Sequence, residues 1–433
     1  MTRKNSLSVS RRELLRSAGA FAAVGLLGTM DAVLRQQALA AGTPERKFLF
    51  FFAGGGWDAT PLDPKYASDG ISPVGGTDMD PDTYLGQAGN LTYSAGPDRE
   101  AMDTYFRRWG GRTAILRGVN VHSAGHESGT RWMMTGSSAS SLADWPTILA
   151  SRGQFEYPMP HLVFSGPSFP GPFGAAVVRG GGGTLLQLID GSILGRADQV
   201  APVVSKPMDS MMDAAVHRRA ARFAEGRSGL GRSRADAYLG NLERAMELEG
   251  RRFEAGLDSE GQSVLEQAVM ALEVMRLGLC RCAMIRIPGA WDTHGGNQNV
   301  GAQLDSFFAV LDALMNILST TPGTATSWLS GEVTVVCTSE LGRTPRFNGS
   351  MGRDHWPYTS MLVAGSGVRG DTVVGETDEG FIARPIDFQT GRYASSGSLV
   401  GTENVGTALL ELGGVDPERF LPGVQPLRAF LRS

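Results

Sequence analysis

Four short segments concentrate the imidazoles and carboxylates of this chain. "GGGWDATPLDP" carries Asp58 and Asp63. "NVHSAGHESGTRWMMTG" carries His122, His126 and Glu127. "GAWDTHGG" carries Asp292 and His294, and "SELGRTPRFNGSMGRDHWP" carries Glu340, Arg343, Asp354 and His355. The chain has six histidines, four of which lie in these segments. Neutral imidazole offers a nitrogen lone pair and carboxylate offers charge-neutralising oxygen. Such a set suits zinc, manganese or iron better than an all-oxygen calcium cage. In an extended loop, residues i and i+2 point the same way. Asp292 and His294 can therefore reach one ion together, or the carboxylate can orient the imidazole. Gly295 and Gly296 then let the backbone turn away. Each residue alone has a plainer reading. Asp58 can cap a helix, Glu340 can pair with Arg343, and Asp354 with Arg353 or Arg346. The joint pattern over four segments is what favours a metal or oxyanion site. His161 and His217 lie outside it and are assigned no role.

Each segment follows an apolar, β-rich run. The runs are residues 46–56, 112–119, 161–166, 282–289, 332–340 and 360–367. Their near-continuous apolar character predicts strands buried on both faces of a sheet. In open parallel sheets, sites form beyond the carboxyl ends of the strands. Between the runs, Leu304, Phe307, Phe308, Leu311, Leu314, Met315 and Leu318 recur at helical spacing. Residues 208–279 read as helical throughout, with breaks at 226–231 and 256–259, and form a helical insertion or side layer. Strand alternating with helix is the pattern of an α/β domain with a mostly parallel sheet.

The chain has 433 residues, 42% hydrophobic and 19% charged, enough for a substantial core. Its N-terminus is of another kind. Arg11 and Arg12 precede a moderately apolar stretch of residues 17–30, and Ala38-Leu39-Ala40 offers a small-x-small cleavage site. This resembles a twin-arginine signal peptide over residues 1–40, which implies export of the folded bacterial protein to the periplasm or beyond by the twin-arginine translocase. The apolar stretch is short and glycine-rich for a membrane span, and the mature chain, residues 41–433, reads as one domain without a transmembrane span. Removing the segment's six basic and two acidic residues takes the formal charge from −4 to −8. With no basic, aromatic-interleaved run left, nucleic acid is not an expected partner. The three cysteines, Cys280, Cys282 and Cys337, form no Cys-x-x-Cys. They read as buried thiols, with a bridge from Cys337 to Cys280 or Cys282 conceivable only if their strands are neighbours.

Together the four segments, "GAWDTHGGN" and the Glu340-to-Pro357 stretch above all, resemble the bacterial family called domain of unknown function 1501, over nearly the whole mature chain. That family is placed in the alkaline phosphatase and sulfatase superfamily. The resemblance implies an alkaline-phosphatase-like three-layer α/β/α sandwich and a site for one or two divalent ions, zinc first, then manganese, iron or calcium. By motif, it implies metal ligation by Asp58, Asp292, His294, Glu340 and His355. Two departures stand out. The Asp-x-His pair is tightly spaced, and Glu340 is followed by leucine where an imidazole is expected. The nucleophile's place falls on Ser123 counted from the front of its segment, and on His126 counted back from Thr135-Gly136. The segment has no cysteine from which a formylglycine could form.

The resulting expectation is an exported metal-dependent hydrolase of phosphate or sulfate esters, acting on a small-molecule or glycan ester. Arg343 or Arg353 would hold the substrate oxyanion, because a guanidinium matches that geometry. The competing expectation is the same fold with a degenerate site, acting as a periplasmic or envelope binding or assembly factor. A weaker third is a carbohydrate-active enzyme with two metal-free carboxylates.

Overall fold

The computed structural model describes residues 45–65, 83–180, 204–248 and 263–432. The segment read as a signal, residues 1–40, and the expected break at 256–259 lie outside them. The strands are β1 (Lys47–Phe52), β2 (Tyr84–Ala88), β3 (Leu91–Ala95), β4 (Thr113–Asn120), β5 (His161–Val163), β6 (Val177–Arg179), β7 (Cys282–Arg286), β8 (Val333–Thr338), β9 (Gly342–Arg343), β10 (His355–Trp356), β11 (Tyr358–Gly365) and β12 (Thr372–Val374). The helices are α1 (Glu100–Trp109), α2 (His126–Thr135), α3 (Trp145–Ser151), α4 (Lys206–Glu225), α5 (Gly229–Leu248), α6 (Val264–Arg276), α7 (Val300–Thr320) and α8 (Thr402–Leu412).

Eight strands form one sheet in the order β12-β4-β11-β8-β1-β7-β5-β6. β1 pairs in parallel with β7 and β8 on either side, and β5 in parallel with β6 and β7. β11 is the exception, antiparallel to both β4 and β8. It follows β10 after the single residue Pro357 and runs back across the sheet. An apolar run reads the same in either direction, so its sequence carries no sign of the reversal.

β1 shows why the sheet takes two helical layers. Its six residues KFLFFF are all buried. Side chains alternate across a strand. Leu49 and Phe51 enter one core with residues of α1, α6 and α7, whereas Phe48, Phe50 and Phe52 enter a second with residues of α2, α3 and α8. Each fully buried Phe contributes about 1.5–3 kcal/mol of apolar burial. The chain is therefore a mixed α/β protein with a mostly parallel eight-stranded central sheet and helices over both faces. The expected stripe on α7 is buried throughout, Leu304 to Leu318. Among the described residues α7 alone is long and apolar enough to cross a membrane, and it lies in the core.

The three cysteines are free and buried. β1 lies between β7, which holds Cys282, and β8, which holds Cys337. The condition for a bridge, neighbouring strands, is not met. Residues 206–248 are helical, as expected from 208 onward, with a break at 226–228 between α4 and α5.

Candidate metal centre

β1, β7 and β8 run in parallel, and the site is assembled from the segments beyond their carboxyl ends, from α2, which follows β4, and from β10. One carboxylate lies at its centre. Asp292 Oδ2 is 3.4 Å from His126 Nε2, and Asp292 Oδ1 is 3.1 Å from His294 Nε2 and 3.4 Å from His355 Nε2. Donor atoms of His126, Asp292 and His355 all lie within 4.8 Å of one another, a group able to hold a metal ion. His294 stands at its edge, with Nε2 2.9 Å from His355 Nε2.

Each ring is held from behind at Nδ1. His126 Nδ1 donates to Glu340 Oε1 at 2.8 Å, His294 Nδ1 to Asp354 Oδ1 at 2.8 Å, and His355 Nδ1 to the carbonyl of Ala124 at 2.7 Å. Carboxylates and carbonyls only accept, so each Nδ1 carries the hydrogen. Each ring then turns its Nε2 into the group, the atom that would ligate an ion. The backbone sets this up. His126 is the first residue of α2, and a glycine with no Cβ, Gly129, lets that helix lie against the Glu340 carbonyl. Gly56, at φ +73°, brings the β1 loop against Leu341 so closely that a Cβ would strike it.

The carboxylates are anchored by cations and amides. Arg343 Nη2 donates to Asp292 Oδ1 at 2.7 Å. Burial pushes the Asp292 carboxyl up, but the Arg343 hydrogen bond and charge, with His126 and His294, outweigh it and hold the pKa below the usual carboxylate range. Hydrogen bonds from His294 and Asn348 hold Asp354 below that range too. Glu340 is buried. Its Oε1 also accepts from the Gly55 amide at 2.6 Å, and its Oε2 from Ser339 Oγ at 3.1 Å.

Several expected roles move. Glu340 serves as the anchor of His126 rather than a partner of Arg343. Asp354 anchors His294 rather than pairing with Arg353 or Arg346. Asp58 is buried away from the group, where its Oδ2 accepts from Asn297 Nδ2 at 3.0 Å and lies 3.1 Å from Arg353 Nε. Neither Arg343 nor Arg353 is exposed to a substrate oxyanion. Both are buried, and Arg343 gives its donors to Gly56 O, Gly55 O, Arg353 O and Asp292. Arg353 donates to the carbonyls of Thr344 and Pro345 and lies on Asp58. Ser123 Oγ sits 2.5 Å from Ser128 Oγ. His122 turns to Glu403, 3.0 Å away, and to the Trp132 ring. Asp63 accepts from Thr377. The Ala124 carbonyl and Asn348 had no signal in the sequence beyond lying in the two polar segments.

Fold and site define a mixed α/β protein with a three-histidine, one-carboxylate cluster at the edge of its sheet. The chain belongs to the family described as "Protein of unknown function (DUF1501)", whose profile matches residues 111–425. No curated protein matches the chain. Among solved structures it is similar to "Crystal structure of Ps i-CgsB in complex with k-i-k-neocarrahexaose", at 8% identity and TM-score 0.41, over 89% of this chain and 75% of that one. A second is "Metabolism of multiple glycosaminoglycans by bacteroides thetaiotaomicron is orchestrated by a versatile core genetic locus", at 9% identity and TM-score 0.34, over 90% and 77%.

Proposed function

We propose that the chain is a metal-dependent hydrolase of phosphate or sulfate esters that holds a divalent ion at His126, Asp292 and His355, with His294 at the edge of the set. One observation carries the reading: three imidazoles, each anchored at Nδ1, turn Nε2 onto one carboxylate. The mixed nitrogen and oxygen donor set fits zinc first, then manganese or iron. A divalent ion in such a set supplies Lewis acidity at neutral pH. Glu340, Asp354 and the Ala124 carbonyl keep the rings in the tautomer that can ligate. Arg343 keeps Asp292 ionised and in place.

Asp58 and Glu340, each committed to a partner in its own chain, leave a donor set for a single ion, so the reading is of one metal rather than two. The alkaline-phosphatase-like sandwich remains part of the proposal, supported by the helix layers on both faces of the sheet and by the site's position at its carboxyl edge. Export by the twin-arginine route to the periplasm is proposed from Arg11, Arg12 and the apolar stretch behind them.

The test is metal content by mass spectrometry on the purified protein, beside a His126→Ala/His355→Ala variant, followed by turnover of 4-nitrophenyl phosphate and 4-nitrophenyl sulfate. One tightly bound transition metal, lost in the variant, with turnover of either ester, supports the hydrolase. No metal in the wild type rejects it. Metal without turnover favours the second reading, a metal-holding binding or assembly protein. That reading draws on Ser123, whose hydroxyl bonds, among the described residues, to Ser128 and the Gly125 backbone and to no imidazole.

A further inference from the structure

Helix α4 is covered on one side only. Its sheltered side is a run of alanines, Ala214, Ala220, Ala221 and Ala224, and α4 packs on α5. Its outer side carries Met208, Met211, Met212, Val216 and Phe223, which are 58, 72, 47, 41 and 55% exposed. At 3.6 residues per turn these five fall on one face, about 22 Å long from Met208 to Phe223. The same face continues through Arg218, Arg219 and Arg222, all exposed, with no ion pair among the described residues. Arg227 stacks on Phe223 at 4.3 Å. Asp209 and Asp213 lie about 100° and 140° around the helix from Met208, along the Val216 edge of the face. Glu225 lies beyond the guanidiniums. Monomer surfaces rarely leave so many large apolar side chains together in water.

We propose that this face docks on an anionic lipid surface. The order of the residues selects the occupant. A second copy would pair the face with itself about a two-fold axis. Antiparallel pairing over the whole face would set the methionines against guanidiniums, pairing centred on the methionines alone would leave Phe223 and the arginines outside the contact, and parallel pairing would set guanidinium on guanidinium. A bilayer interface has no such conflict. Methionine, valine and phenylalanine enter the acyl boundary, while arginines keep their heads among phosphates and lay their stems along apolar surface. Methionine's flexible thioether adapts to an uneven surface. The inference does not rest on the metal reading.

The experiment is co-sedimentation of the full chain with vesicles of phosphatidylcholine alone and of a one-to-one mixture with phosphatidylglycerol. Three proteins are compared: wild type, Met211→Asp and Arg219→Gln/Arg222→Gln. These side chains are exposed, so circular dichroism and metal content should match wild type. Each guanidinium near an anionic surface contributes roughly fivefold in partitioning. The double variant should therefore bind the mixed vesicles about 20-fold more weakly, and Met211→Asp at least about tenfold more weakly. Neutral vesicles should retain little of any of the three. The proposal is overturned if wild type stays in the supernatant with anionic vesicles, or if neither variant changes its binding. A dimer seen by light scattering and dissociated by Met211→Asp overturns it too, because the face then belongs to a second copy.

Discussion

The Nε2 atoms of His294 and His355 stand 2.9 Å apart although the Nδ1 of each ring already donates elsewhere, one to Asp354 and the other to the Ala124 carbonyl. Each ring therefore turns its Nε2 toward the other with no protein donor between them. A cation between them, a proton or a metal ion, makes the approach attractive. The consequence is testable by calorimetric titration of zinc into metal-free protein. His355→Ala, which removes a member of the central group, should weaken binding by more than about 100-fold. His294→Ala, at the edge, should weaken it by about 10-fold. Equal losses would contradict the ordering of the two rings.

Glu340 acts on the site through His126. Glu340→Gln keeps the shape and can still accept from Gly55 and His126 through its carbonyl oxygen, but it removes the negative charge behind the His126 ring. Zinc affinity should fall about 10- to 100-fold, with the far-ultraviolet circular dichroism unchanged. An unaltered affinity would remove Glu340 from the account.

Gly352 tests the backbone rather than the donors. A Cβ there would run into the carbonyl oxygens of Thr293 and His294. Gly352→Ala should destabilise the protein by about 1–3 kcal/mol in urea unfolding. It should also lower zinc affinity without touching a ligand, because the clash displaces the loop that carries Asp292 and His294.

Asp58 and Arg353 form a buried pair, 3.1 Å apart with both side chains at most 1% exposed. Removing one partner leaves an uncompensated buried charge, so Asp58→Ala should cost about 3–5 kcal/mol in urea unfolding. The double variant Asp58→Ala/Arg353→Met should recover most of that loss. If the double variant is less stable than Asp58→Ala, the pair is not what stabilises this loop.

Acid stability should depend on Glu332. Burial pushes its carboxyl up, but the Lys47 charge, with hydrogen bonds from Ala325, Lys47 and Thr324, outweighs burial and lowers the pKa from 4.5 to about 2. The folded state then holds this proton less firmly than the unfolded chain. The pair's stabilisation is complete above pH 4.5 and drains away as pH falls toward 2, by up to about 3 kcal/mol. Urea unfolding across that range should show the slope in wild type, and Glu332→Gln should flatten it while lowering stability at pH 7. Parallel curves for the two proteins would contradict the assignment.

Much of the architecture was legible in the residue order. A strand buried on both faces must be apolar throughout, so β1, β4, β7, β8 and β11 announced themselves, and α7 did so through its stripe. β5 was marked by the run at 161–166, whereas the short strands β6 and β12 and the β2–β3 hairpin were not, because three to five residues carry too little periodicity. The segments that hold the site were legible as well, because the carboxyl edge of a parallel sheet is where loops can gather polar groups. Composition alone could say that His126, Asp292, His294, Glu340 and His355 belonged to such loops. What each residue does there was decided only by tertiary structure. Glu340 and Asp354 each had an arginine close in sequence, yet each is hydrogen-bonded to a histidine more than fifty residues away. Arg343 and Arg353, expected to hold a substrate oxyanion or to pair with Glu340 and Asp354, are buried struts. Sequence specifies which donors and acceptors are present. Their pairing follows from which loops the sheet order sets side by side, and that order depends on contacts the chain makes only once it is folded.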